Sequence, residues 1–268
     1  MNFWQFCEER ERIRLNREAG KPRSEWTSDD VLSRFRFTNI CRRHDYGSRL
    51  LETAIEWCET DEMKIHLALC YRYLGSPEWL PSALGPMETP AERTKKIRKR
   101  QDRSEVVMNT RAYQAIVPEF KSMIDFVIDH SESMTKVILA SPFSQPLEVV
   151  QQLADYSRAA DYYAAWFQAM ETVKDIMWFL PERINPDGIV RLGPGAVTGL
   201  TEHLGRMPSR AEAQAITLEM SQERTLCPPS LKELWNHDIV EHALCEFGKY
   251  CRSARGERKG GDWAPTHG

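Results

Sequence analysis

Five residues of different chemistry, Asp238, Glu241, His242, Cys245 and Lys249, fall at offsets 0, +3, +4, +7 and +11. On an α-helix that spacing stacks them along one face. A carboxylate or an imidazole there can take a proton from an attacking group. A thiol can act as a nucleophile, and a lysine can neutralise an anionic leaving group. A solvated face would ordinarily carry little but Lys and Glu. Thiolate with two hard carboxylates on one helix is an unusual ligand set, so no metal ligand is assigned. Cys245 is open to a blander reading as a small, half-buried residue chosen for fit.

Two further stretches suit an anion. Between Arg34 and Arg49 stand five arginines and one acid, Asp45. Read as a helix, this stretch puts Phe35, Asn39 and Arg42 on one face and Arg36 and Arg43 on the next. Arginine forks match phosphate oxygens. An asparagine among them offers both a donor and an acceptor to a pyrimidine edge. The alternative is a basic solvated face. The second stretch is Leu192-Gly193-Pro194-Gly195-Ala196-Val197-Thr198-Gly199-Leu200. It reads as a tight turn opening a short helix. Free N–H groups around Gly193, Gly195, Ala196 and Thr198 would face a DNA phosphate there.

The elements that must position these residues read as almost entirely helical, because apolar residues recur at i, i+3, i+4 and i+7 and seldom alternate. Helices are expected at 2–19, from a Thr27 or Ser28 cap through about 45, and at 50–74, 119–139, 147–180 and 234–252. A Pro- and Gly-rich loop covers 75–90. The run Glu8–Arg12 reads as a solvated face. Arg93–Arg103 holds seven basic residues against one acid and reads as surface or as DNA attraction. Asn109 and Tyr113 belong to a polar group within an apolar segment. Trp166 sits among aromatics that suit a core or a base-stacking shelf. Ser209 and Glu212 form a capping box. In the last helix Val240, Ala243, Leu244 and Phe247 make the stripe that must face the core.

With 268 residues, 41% hydrophobic and 28% charged, the chain can bury a full core. A net charge of −3 excludes a global polycation, so any nucleic-acid surface is local. No apolar run is long enough to span a membrane. Seven cysteines without CxxC pairs point to reduced thiols in a cytoplasm. Residues 1–255 read as one helical domain, able to form two lobes around a DNA cleft, and 256–268 as a disordered tail.

Taken together, several strings resemble a family. They are Phe3-Trp4-Gln5-Phe6 with Glu9-Arg10, Trp26-Thr27, Arg36-Phe37-Thr38-Asn39 with Arg42 and Asp45, and Asn109-Thr110-Arg111-Ala112-Tyr113. Gly193-Pro194-Gly195-Ala196 with Gly199-Leu200 follows, then Glu241-His242-Ala243-Leu244-Cys245-Glu246-Phe247 with Lys249-Tyr250. The ordered set resembles the α-glutamyl/putrescinyl-thymine pyrophosphorylase (amino acid:DNA transferase) clade. That clade shares its helical domain with the 5-hydroxymethyluracil DNA kinases of bacteriophages. The resemblance implies an all-α, helix-hairpin-helix DNA-glycosylase-like fold, which would act in an infected host cell if phage-encoded. It also implies double-stranded DNA carrying a modified thymine as one substrate and a free amino acid or polyamine as the other. The amine would replace the pyrophosphate of 5-(pyrophosphoryloxymethyl)uracil. No Gly-x-x-x-x-Gly-Lys-Ser/Thr loop occurs in the sequence, which favours transferase over kinase. Two positions depart from the family pattern. A basic residue is missing near Thr198, which would weaken phosphate contact, and Gly248 replaces an acid, which would signal changed substrate or chemistry.

That chemistry assigns roles. The target base would be flipped into a pocket, with Asn39, Asn109, Tyr113 and Trp166 as its walls and edge partners. The leaving pyrophosphate needs Arg36, Arg42, Arg43 and Lys249, or Mg²⁺, with Asp45 beside them. Asp238, Glu241 or His242 would take the proton of the amine. A Cys245 thiolate adding to C6 of the ring is a covalent alternative. A glycosylase acting on a modified thymine, with Glu202 as its only close carboxylate, and a non-catalytic DNA-binding protein are the competing readings.

Overall fold

The computed structural model describes residues 1–74, 85–103, 120–141, 143–161 and 166–257. Among these residues there are eleven α-helices and no β-strand, as the periodicity predicts. In chain order they are α1 (Phe3–Glu18), α2 (Asp30–Arg34), α3 (Tyr46–Glu56), α4 (Asp61–Leu74), α5 (Pro90–Asp102), α6 (Phe120–Ala140), α7 (Pro146–Ala159), α8 (Trp166–Phe179), α9 (Pro194–Leu204), α10 (Arg210–Gln222) and α11 (His237–Ala254). They fall into two compact units. One joins the two ends of the chain, Met1–Asp45 and Val190–Gly268, and the other is the continuous stretch Tyr46–Ile189.

In the first unit, α1 opens with a capping box. The Asn2 side chain accepts from the Gln5 amide and the Gln5 side chain accepts from the Asn2 amide. Its charge run is only partly a solvated face: Glu8 and Arg12 are exposed, but Arg10 and Glu11 are each only 2% exposed. Arg10 donates to the carbonyls of Phe37 and Thr38 at 3.0 and 2.9 Å. Glu11 is engaged by Arg14 and by the Ser230 hydroxyl. Buried charges are tolerated here because each is hydrogen-bonded. Phe3 and Phe6 pack on Phe247, with ring centroids 5.8 and 5.5 Å apart. The expected core stripe Val240, Ala243, Leu244 and Phe247 is buried.

The helix expected through residue 45 stops at Arg34. Asp29, rather than Thr27 or Ser28, caps it by accepting from the Leu32 amide. Phe35 is already extended, with ψ 150°. The cause is long-range. Arg10 takes the carbonyls of Phe37 and Thr38, and a Glu246 carboxylate oxygen takes the Thr38 amide, so the backbone finds its partners outside a helix.

Helices α9 and α11 touch backbone to backbone. A Cβ on Gly199 would collide with the Leu244 carbonyl, and one on Gly248 would stand 2.9 Å from the Gly199 nitrogen. The four-residue spacing of Gly195 and Gly199 keeps one face of α9 flat enough for this approach.

In the second unit, the helix expected over 50–74 is two. α4 starts afresh where the Thr60 hydroxyl accepts from the Met63 amide and Asp61 and Glu62 occupy the first turn. The helix expected over 147–180 is also two. α7 ends before Asp161, which takes a left-handed φ of 54°, and α8 begins at Trp166. The run from Arg93 is only partly surface. Arg93 is fully buried, donating to His66 Nδ1 at 2.8 Å and to the carbonyls of Gly85 and Glu88. Lys96 and Arg98 pair with Glu88 and Asp129. Burial and the Arg93 charge push His66 down to about 3, so it stays neutral. Residues 75–84 of the expected loop, including the stop at Gly75-Ser76-Pro77, lie outside the described residues, as does the tail from 258.

Candidate functional site

The chemistry-bearing stripe of α11 lies within the first unit, facing the glycine turn and the segment 37–45. Asp238 and Glu241 are 3% and 8% exposed, whereas His242, Cys245 and Lys249 are half-buried. Glu241 Oε1 accepts from the Gly193 amide at 3.2 Å. The Cys245 sulfur lies against Gly195, where a Cβ would come within 2.5 Å of it. The stripe and the turn are therefore one structure, a relation that their separation in sequence does not reveal.

At the turn, α9 begins directly after Gly193 with Pro194 in its first position, where a missing N–H costs nothing. Ala196 is buried. The Thr198 hydroxyl turns back to the Pro194 carbonyl at 2.9 Å. α8 ends at Phe179 and no α-helix occupies 180–192, so the turn has a helix on its C-terminal side only. His237 holds the chain leading into it, accepting from the Val190 amide through Nδ1. Gly248, the second departure from the expected pattern, sits on Gly199.

The segment 37–45 reaches the stripe through Thr38. Its hydroxyl is 2.9 Å from His242 Nε2, and its amide donates to Glu246 Oε2 at 3.1 Å. Glu246 also pairs with Lys249 and is 1% exposed. Burial raises its carboxyl, but Lys249, His242 and the Thr38 amide outweigh it and hold the group below the ordinary range. Arg10 lies under the same segment, and burial lowers it to about 10 against the pull of Glu246 and Asp45. Glu246 and Arg10 are site residues that sequence reasoning missed. The available signal was an acid four residues after His242 on one helix.

Asn39 is 4% exposed and firmly held. Its Nδ2 donates to the His44 carbonyl at 3.0 Å and to Asp45 Oδ1 at 2.8 Å, while its own amide donates to the same Asp45 oxygen. Arg36 is exposed, and Arg42 and Arg43 sit half-buried in a 3₁₀ turn, Arg42–His44. These residues share one segment but not the helical face expected of them. Asn109 and Tyr113 lie outside the described residues. Trp166 belongs to the second unit, with the Arg158 guanidinium 5.6 Å from its ring centroid.

The arrangement brings together a half-buried imidazole, backbone amides at a helix start, and arginines on a held segment. Among the described residues no group of three or more His, Cys, Asp or Glu side chains is placed to hold a metal ion. Among them, too, no helix is long and apolar enough to cross a membrane.

No curated protein and no solved structure is significantly similar to the chain. A family model described as "5-hmdU DNA kinase, helical domain" matches residues 1–260, which takes in both the turn and the whole of α11. The all-helical fold agrees with that match, and the chain belongs to the 5-hmdU DNA kinase helical-domain family, a family of DNA-modifying enzymes.

Proposed function

We propose that the protein is a DNA-modifying transferase that replaces the pyrophosphate of 5-(pyrophosphoryloxymethyl)uracil in double-stranded DNA with an amine, from an amino acid or a polyamine. The observation that carries this reading is the contact of His242 with Thr38 beside the arginine-bearing segment, on a domain of this family. The base is flipped out of the stack, as it is by other enzymes that do chemistry on a base in duplex DNA. The amine nitrogen attacks the methylene carbon as the carbon–oxygen bond to pyrophosphate breaks. The amine proton passes to His242, with Asp238 and Glu241 as alternative acceptors. Glu241 is buried and His242 only half-buried, which favours the imidazole. Arg36, Arg42, Arg43 and Lys249 face the charge of the leaving pyrophosphate. The first unit corresponds to a glycosylase-like lobe whose glycine turn approaches a DNA phosphate.

A glycosylase is less well supported. Its required carboxylate after the turn, Glu202, receives both terminal nitrogens of Arg255 at 2.9 and 2.8 Å. Nucleosides from pyrophosphorylated DNA, incubated with protein and amines and weighed by mass spectrometry, separate the readings. A mass gain on the base supports the transferase. Loss of the base means a glycosylase, and an unchanged base means a binding protein.

A further inference from the structure

The hydrogen-bonding capacity of Asn39 is nearly consumed, and its orientation is unambiguous. Its Nδ2 has two hydrogens and two acceptors, the His44 carbonyl and Asp45 Oδ1. Rotating the amide by half a turn would set its oxygen against those same two acceptors, so the orientation is forced. What remains is Oδ1. It is buried and has no hydrogen-bond partner, a state that costs free energy until a donor arrives. Thr38, just before it in the chain, is exposed, Ile40 and Cys41, just after it, are fully buried, and Arg42 is half-buried, so the segment passes from surface into core at the asparagine. Arg10 and Glu246 pin the preceding residues, and Asp45 pins the asparagine itself. The oxygen is thus a fixed acceptor on a held segment.

We infer that Asn39 Oδ1 accepts the N3–H of a flipped uracil ring and so selects uracil-type over cytosine-type bases. The inference rests on the base-modifying reading above. Of the two pyrimidine rings, uracil carries a hydrogen on N3 and cytosine carries a lone pair there. An acceptor fixed opposite N3 therefore bonds the first and repels the second. The attacking amine is the other N–H donor in the reaction. It brings two or three hydrogens, whereas a single vacant acceptor matches the one hydrogen of an imide. The donor–acceptor symmetry that the asparagine has in sequence is lost in the fold, since its donor half is spent on Asp45 and His44.

The test uses single-stranded oligonucleotides carrying one 5-hydroxymethyluracil or one 5-hydroxymethylcytosine, so that base pairing does not bias the comparison. Competition binding is measured by fluorescence anisotropy on the full chain. The expected result is a preference for the uracil strand of roughly tenfold or more, which collapses in Asn39→Ala as the two Kd values converge. Equal affinities in the wild-type protein overturn the inference, and that comparison needs no variant to fold. A preference that survives Asn39→Ala in a protein with wild-type melting also overturns it, as does a rise in the amine KM with the preference unchanged. Amine transfer is assayed in parallel. Discrimination without transfer removes the transferase reading alone, and transfer without discrimination removes this inference alone.

Discussion

Thr38 joins Glu246 to His242: its amide donates to the carboxylate at 3.1 Å while its hydroxyl meets the imidazole at 2.9 Å. A buried acid thereby fixes the residue that fixes the proposed base. Glu246→Gln is expected to lower turnover more than substrate affinity, through a displaced His242, with a melting temperature reduced by several degrees. Kinetics and thermal denaturation of the variant check both. Turnover equal to wild type would show that Thr38 holds its place without the carboxylate.

The same residue sets a pH dependence. Glu246 is held below the ordinary carboxylate range in the folded state. Its contribution to stability is therefore present above the unfolded value, about 4.3, and is lost as pH falls through the folded value. Urea denaturation of wild type and Glu246→Gln should converge as pH is lowered through the acid range. His66 acts in the same direction at a higher pH. Its folded value of about 3 lies below the unfolded value of about 6.5. Stability gained by keeping it neutral falls from near pH 6.5 downward, and His66→Gln should flatten that part of the curve.

Gly199→Ala is expected to destabilise the protein by about 1–3 kcal/mol or more, because the added methyl meets the Leu244 backbone rather than a movable side chain. Chemical denaturation measures it. An unaltered midpoint would mean that α9 can shift away from α11 at no cost.

Cys245→Ser separates packing from covalent catalysis. The sulfur rests on Gly195, and serine is nearly isosteric, so the variant is expected to stay folded with turnover near wild type. Addition of the thiolate to C6 of the ring would instead require abolished turnover and the loss of any enzyme–DNA adduct on denaturing gels.

DNA affinity should fall steeply with salt, and Arg36→Ala should reduce the slope of log K against log salt by about 1. Arg36 is exposed. Arg93→Ala should instead lower the melting temperature, because that guanidinium is buried against His66 and the 85–88 backbone. A binding assay in which both variants behave alike would contradict this division of the basic residues.

Local patterns were legible in the sequence and long-range satisfaction was not. The stripe Val240, Ala243, Leu244 and Phe247 announced a buried helix face, and Ser209 with Glu212 announced a helix start, because the partners are three or four residues apart. The break after Arg34 had no such signal. It depends on Arg10, which stands in a run that reads locally as solvated charge, and on Glu246, far away in the chain. The stripe of α11 was legible as a set of residues. Its contact with the glycine turn, through Glu241 to Gly193 and Cys245 to Gly195, was not, since nothing local records which backbone a helix will meet. Asn39 was legible as a polar residue among arginines, but the commitment of its donor half to Asp45 follows only from the extended backbone.

The first unit is assembled from both ends of the chain, with Tyr46–Ile189 set between them. During synthesis the continuous unit emerges complete and can fold on the ribosome, domains being made N-terminal first. The α1 helix must wait. Arg10 has carbonyls to bind once residue 38 has emerged, but the Glu246 that receives the Thr38 amide comes more than two hundred residues later. The proposed site therefore exists only in finished chains. A product cut short before α11 carries the arginine segment without the proposed base and without the helix that steadies it, and is expected to be inactive.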